Sequence, residues 1–399
     1  MVKKQNYLKS LKIIIIAYAL SLNSIVRGSS YMLKSFGYHD TSINTMFLYG
    51  ILVGLVFLKC RIENKITIRR DIAIAFGVYI VSFLGTILLF PQNRELIFEL
   101  LSRQIWICIM QFCVFTQDYD YSILYKGMKI GMYIILVTVP LFFAFKPSST
   151  FFSDGLYMDF GYMVIVPAAL FLFFYFKEKK LLYIALSILC TLMIFIYGNR
   201  GAVICYFAYI LLNALLGKSG LKKNIYILLL FTAAMIFYTN ASNIIHYFNL
   251  DSVVSRNINY ILSGRFSSFE TRKNTYNLII SEIPKHWLLG MGIGGDRMLV
   301  SNGTSLNTYA HNFVLEIIIS LGIPLGITCL VFLIYSIMRI VLSNNEYKDI
   351  IVCLASIELV KLSISSSLFV DPLLYILIAL IFNARRSALH IKSTTMQND

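Results

Sequence analysis

Acidic residues are scarce in this sequence, 20 against 35 lysines and arginines, and charged residues of both signs make up only 14% of its 399 residues. So little charge cannot cover the surface of a soluble protein that is 58% hydrophobic, and a mean hydropathy of +0.73 points to an integral membrane chain. Metal-type and redox-type cysteine spacings are missing too. The seven cysteines (Cys60, Cys108, Cys113, Cys190, Cys205, Cys329, Cys353) fall mostly in or beside apolar runs, with no CxxC and no zinc-type Cys/His spacing, so neither a disulfide framework nor a metal site is expected. No A-x-A cleavage site follows the basic N-terminus and its apolar run 11–25, which is read as a retained first span. The alternating pattern of a lipid-facing barrel strand is also absent, and lipid satisfies no backbone hydrogen bonds, so the spans are helices.

What is present is a series of apolar runs approaching the roughly 20 residues that cross a bilayer. They fall at about 11–26, 44–58, 72–90, 96–116, 130–145, 159–176, 181–197, 201–216, 224–239, 312–338, 349–369 and 372–384. The expectation is an all-α integral membrane protein of about twelve transmembrane helices, one polytopic domain over 1–399. Gly322, Pro324 and Gly326 interrupt the run at 312–338, as one broken helix or as a half-helix followed by a span.

Lysine and arginine flanking the spans concentrate on the cytoplasmic side. With the N-terminus inside, inner segments hold 22 basic residues and outer segments 11, six of the latter in one long excursion. Both termini are then cytoplasmic, and the formal charge of +15 reports topology and anionic lipid headgroups, with no call for nucleic acid. The excursion, 240–307, is a large extracytoplasmic loop. Its apolar and aromatic content predicts short helices at the membrane surface.

Four clusters carry chemical interest. In "YGNRGA", Gly198, Asn199 and Arg200 occupy a short outer turn, where an arginine between glycines can meet an anionic headgroup or simply snorkel. Within the long loop, Arg265 and Arg272 are seven apart, on one helical face within about 20°. They can clamp a pyrophosphate, or pair with Glu270 and Glu282 as a solvated face. The glycines at 290, 292, 294 and 295 lack the strand and the ribose-binding acid of a nucleotide cradle, and a tight turn back to the membrane is the better reading. "TYAHNFVLEIIISLGIPLG" places His311 where the loop re-enters the bilayer, with Asn312 and Glu316 four apart on one face and His311 displaced around the axis. A neutral imidazole there can take a proton from a hydroxyl, and a carboxylate in a span usually faces protein or water. Glu99 with Arg103, and Glu358 with Lys361, have spacings for intrahelical ion pairs.

In order and spacing these motifs resemble the O-antigen ligase and Wzy-type polysaccharide polymerase superfamily. The resemblance is carried by Gly198–Gly201, by Ser263–Arg265, by Pro284 with Gly290–Gly294, and by His311–Glu316 followed by Gly322–Gly326. It implies a GT-C-like membrane fold and a glycosyltransferase acting at the outer face of a bacterial cytoplasmic membrane. The implied substrates are oligosaccharides on undecaprenyl pyrophosphate, used without metal, nucleotide or other cofactor. Arg200 and Arg265 become pyrophosphate ligands, Arg272 a third candidate and His311 the base. Asn312 orients it or the acceptor, while Glu316, Gly198 and Asn199 join the substrate site. Polymerisation of lipid-linked repeats for O-antigen, capsule or exopolysaccharide is the first expectation, with ligase-type transfer to another acceptor as its rival. The implied partners are membrane lipid and the pathway's chain-length regulator and flippase. A flippase or transporter is the reading from another class, but the single late loop breaks the repeat symmetry such proteins carry.

Overall fold

The computed structural model describes residues 2–38, 42–63, 70–117, 119–144, 156–197, 200–216, 267–301 and 308–396, all helix, turn or coil with no strand among them. Eleven of the twelve expected apolar segments fall on described residues, and each is helical over most of its length; the segment at 224–239 lies outside them. Five helices among the described residues are long and apolar enough to cross a membrane, or six if one sharply bent pair is a single span.

By internal contacts the chain divides into two compact units, each drawn from two stretches. The first takes residues 1–66 and 117–264. Here α1 (Val2–Ser35) packs on α2 (Ser42–Glu63) and α6 (Tyr121–Ala144), while α7 (Leu156–Glu178) packs on α6, α8 (Leu181–Tyr197) and α9 (Arg200–Leu216). Charges at the ends of these helices are neutralised locally: Glu178 pairs with Lys129 and with Lys180 at 3.1 Å and accepts from Tyr125 at 2.8 Å.

The second unit takes residues 67–116 and 265–399. It opens with α3 (Arg70–Leu89), after which the chain bends by 111° at Pro91 into α4 (Arg94–Leu100). Proline cannot continue the hydrogen-bond ladder of α3, which makes this the natural breaking point. A π-turn at Leu101–Ile105 then leads into α5 (Trp106–Phe115). From the long loop come α10 (Ser267–Glu282), a 3-10 turn at Ile283–His286, and α11 (Gly295–Ser301). Where 240–307 is described, at 267–301, it is helix and turn. Three helices finish the unit: α12 (Phe313–Val341), α13 (Lys348–Ile364) and α14 (Pro372–Met396). The span expected to reach residue 369 stops at Ile364 because Ser365 leaves helical geometry at φ −159°, ψ −4°. A turn of three serines follows, and α14 runs well past the expected end at 384.

The interruption in α12 is a single break at Gly322 (φ 78°, ψ 168°), two residues before Pro324. A broken helix frees backbone groups that lipid cannot satisfy. Here the glycine run supplies partners: the amides of Met291 and Gly292 donate to the carbonyls of Ile319 (2.7 Å) and Ser320 (3.0 Å), and the Ile323 amide donates to Trp287 (2.7 Å). A β-carbon on Gly322 would lie 2.3 Å from the Leu288 oxygen, and one on Gly290 would lie 2.6 Å from the Gly322 nitrogen, so both glycines permit backbone-to-backbone contact. The other side of the run docks on the α3–α4 bend, where the Asn93 amide donates to the Met291 carbonyl at 2.8 Å and Thr86 Oγ1 accepts from the Ile293 amide at 3.2 Å. The glycines are therefore a docking seam between two helix breaks.

Candidate functional site

α10 lies against the first half of α12 through a core of Ile279, Ala310 and Ile319, joined by Ile283, Met291 and Leu315. Its opposite side leaves Leu278 and Ile280 exposed, as are Trp287, Leu288 and Leu289 just beyond. That packing brings Arg272 and Tyr276, one turn apart on α10, to the chain segment that re-enters at Tyr309–Asn312. The Tyr276 hydroxyl donates to the His311 carbonyl at 3.3 Å.

His311 has φ +52°, a left-handed backbone that residues with side chains seldom adopt. Its ring lies 4.1 Å, centroid to centroid, from that of Tyr309. Its Nδ1 is buried and has no hydrogen-bond partner among the described residues. Burial, with the cations of Arg272 and Arg297 adding to it, pushes the imidazole pKa down to about 4. At neutral pH the ring is therefore uncharged, with a nitrogen lone pair and a guanidinium nearby.

Asn312 is the N-cap of α12. Its side-chain oxygen accepts from the amides of Val314 (3.0 Å) and Leu315 (3.2 Å), satisfying two donors that the first turn leaves open.

Glu316 is fully buried and lines no open surface. One carboxylate oxygen lies 3.4 Å from Arg297 Nη1 and accepts from the Ser367 hydroxyl; the other accepts from the Leu368 amide at 2.8 Å. The structure gives it no hydrogen bond to His311; its partner is Arg297.

Arg297 is the residue that the sequence reading passed over. It counted there only as one of six basic residues in a long outer loop, yet it is the largest fully buried side chain among the described residues. Its guanidinium donates to Ser367 Oγ at 2.9 Å, lies 3.4 Å from Asp296 Oδ1, and sits 5.2 Å from the centre of the Tyr309 ring. Asp296, also buried, accepts from the Ala310 amide at 2.9 Å, immediately before His311. An acid next to a base straight after the glycine run was the available signal.

The second buried ion group is in the same unit. Lys361 lies 3.9 Å from Glu358, as the spacing of three suggested, but it contacts Asp371 more closely, and Asp371 also accepts from Ser366. The Arg103 side chain lies outside the described residues, so its pairing with Glu99 does too.

Of the other sequence candidates, Arg200 opens α9 in the first unit, and its side chain is outside the described residues. Gly198, Asn199 and Arg265 also lie outside them. The structure thus brings Arg272 together with His311, and places Asn312 and Glu316 in the frame that supports the turn.

Comparison with known proteins matches residues 185–331 to the family described as O-antigen ligase. Neither the curated proteins nor the solved structures gave a match. The matched stretch contains Arg200, Arg272, His311, Asn312 and Glu316, and over that stretch the match supports the resemblance to the O-antigen ligase and Wzy-type superfamily.

Proposed function

We propose that this chain is a polymerase of lipid-linked oligosaccharide repeat units in surface polysaccharide synthesis, working at the outer face of a bacterial cytoplasmic membrane with both termini inside. The family match supports the coarser part, a multi-pass membrane enzyme of glycosyltransferase type. The observation that carries the finer part is His311, an uncharged imidazole whose buried Nδ1 lacks a partner among the described residues and which lies near the Arg272 guanidinium.

In the proposed step an acceptor sugar hydroxyl attacks the anomeric carbon of the donor's first sugar. A new carbon–oxygen bond forms, the bond from that carbon to the phosphate oxygen breaks, and undecaprenyl pyrophosphate leaves with the electron pair. The hydroxyl proton passes to His311. Arginine, always charged and geometrically suited to phosphate, stabilises the growing negative charge; Arg272, Arg265 and Arg200 are the proposed ligands. A diphosphate on Arg272 also offsets one of the cations that hold the imidazole pKa down, so donor binding makes His311 a stronger base. The exposed Trp287, Leu288 and Leu289 suit a loop resting on the leaflet that presents the lipid carrier.

The test is purified protein with repeat units on a polyprenyl pyrophosphate, read as a ladder of longer lipid-linked glycans. The ladder is expected with the native protein and lost in His311→Ala. Failure of the native protein on its verified substrate removes the polymerase reading. Because the matched family is described as O-antigen ligase, transfer to a non-lipid-pyrophosphate acceptor is the second reading, shown by a single larger product in place of a ladder.

A further inference from the structure

We propose that Asp296 and Arg297 are positioning residues for the transfer reaction, holding the Tyr309–His311 turn in the conformation that presents the His311 imidazole. The inference rests on the proposed role of His311. Four contacts define the frame. Asp296 Oδ2 accepts from the Ala310 amide at 2.9 Å, fixing the Tyr309–Ala310 peptide just ahead of the left-handed His311. The Arg297 guanidinium lies 5.2 Å from the Tyr309 ring centre and the His311 ring lies 4.1 Å from it, so cation and imidazole both lie against the one Tyr309 ring. The Tyr309 hydroxyl donates to the Ser365 carbonyl at 2.6 Å, and burial raises its pKa, keeping the donor proton in place.

The frame is itself immobilised. Arg297 is tied to Glu316 and Ser367, and Glu316 to the Leu368 amide, so α11, α12 and the turn after α13 meet at one guanidinium. The serine turn links the elements: Ser365 receives Tyr309, Ser366 donates to Asp371, and Ser367 bridges Arg297 and Glu316. A need for stability alone does not explain this arrangement, since well-packed apolar side chains of similar volume serve as well as a buried ion group. What apolar packing lacks is direction. A guanidinium held by fixed acceptors orients a ring, and a carboxylate orients one named amide.

Among the described residues, the charged and titratable groups facing His311 are Arg272 and Tyr276 from α10, Arg297 from α11, and Tyr309 from its own turn. The experiment measures, on the purified full chain, exchange of the histidine C2 proton with deuterated water by mass spectrometry across pH, together with kcat and KM for chain growth. His39, His246, His286 and His390 are internal controls. Asp296→Asn keeps an oxygen that can accept from Ala310, whereas Asp296→Ala does not. In Asp296→Ala the His311 exchange midpoint is expected to rise towards that of an ordinary histidine, with kcat at least about tenfold lower and KM within about twofold. Asp296→Asn restores both. If Asp296→Ala does not fold, Tyr309→Leu, which removes the ring that both groups contact, asks the same question. Folded Asp296→Ala or Tyr309→Leu with native exchange and native kcat overturns the proposal. A shifted midpoint with native kcat supports the frame but overturns the role given to His311, so the two claims fail separately.

Discussion

Arg297 shows why one residue can matter more than its sequence context suggests. A buried guanidinium with its partner removed leaves charge in a medium that cannot solvate it, at a cost of about 3–5 kcal/mol. Arg297→Ala strands two buried carboxylates, Asp296 and Glu316, and is expected to lose that much stability in denaturant titration of the detergent-solubilised protein. Glu316→Gln keeps the volume and one acceptor oxygen but sets an amide N–H2 against donors, so a loss of about 1–3 kcal/mol is expected. Equal losses in the two variants would show that Arg297 is not the hub. His311 gives a pH prediction with a definite sign. Its folded pKa, about 4, lies below the ordinary value near 6.5, so between those limits the unfolded chain binds a proton that the folded chain does not. Stability therefore falls as pH drops from about 6.5 to about 4, by roughly 3 kcal/mol at most. His311→Gln should flatten the dependence of thermal unfolding on pH within that window. An unchanged slope would mean that the imidazole is solvated in the folded protein.

At the scale of elements, the seam between the glycine run and the α12 break sets the path of the re-entering chain. The sequence announced the break, because Gly322 and Pro324 inside an apolar run cannot both sit in an unbroken helix. It also announced a tight turn at 290–295. It did not announce that the two features are partners, since backbone hydrogen bonds such as Met291 to Ile319 leave no trace in side-chain pattern. Asn312 was legible in a different sense. An asparagine directly before an apolar helix is an N-cap by ordinary helix-start rules, although its place beside His311 drew a functional reading. Four substitutions separate these roles. Gly290→Ala and Gly322→Ala put a β-carbon within 2.6 Å of backbone atoms at positive φ, so each should lose about 3 kcal/mol or more, or fail to accumulate. Gly326→Ala, whose nearest contact is 3.1 Å, should be milder. Asn312→Ala should cost about 1 kcal/mol, an ordinary cap loss. A well-tolerated Gly322→Ala would mean that the seam is not closed in the membrane.

For the molecule as a whole, composition settled the class and periodicity found the helices, because scarcity of charge and length of apolar run are direct consequences of a lipid solvent. Which helices pair was not legible. Protein-facing and lipid-facing surfaces are both apolar in a bilayer, so the pattern that marks a buried stripe in a soluble helix is lost, and association rests on packing detail. The joining of 67–116 to 265–399 across the intervening chain is a case in point. Topology is more accessible, since it is written in flanking charge. The proposed arrangement puts 22 basic residues inside and 11 outside, and it places the His311 turn on the outer side. Reporter fusions at 218–223 and at the end of α14 are expected to report the cytoplasm, and fusions within 240–307 the exterior. Glycan transfer to a carrier held in the outer leaflet needs the Arg272 and His311 groups on that side. A cytoplasmic signal from 240–307 would therefore remove the topology and the proposed donor together, whatever the activity of the site residues.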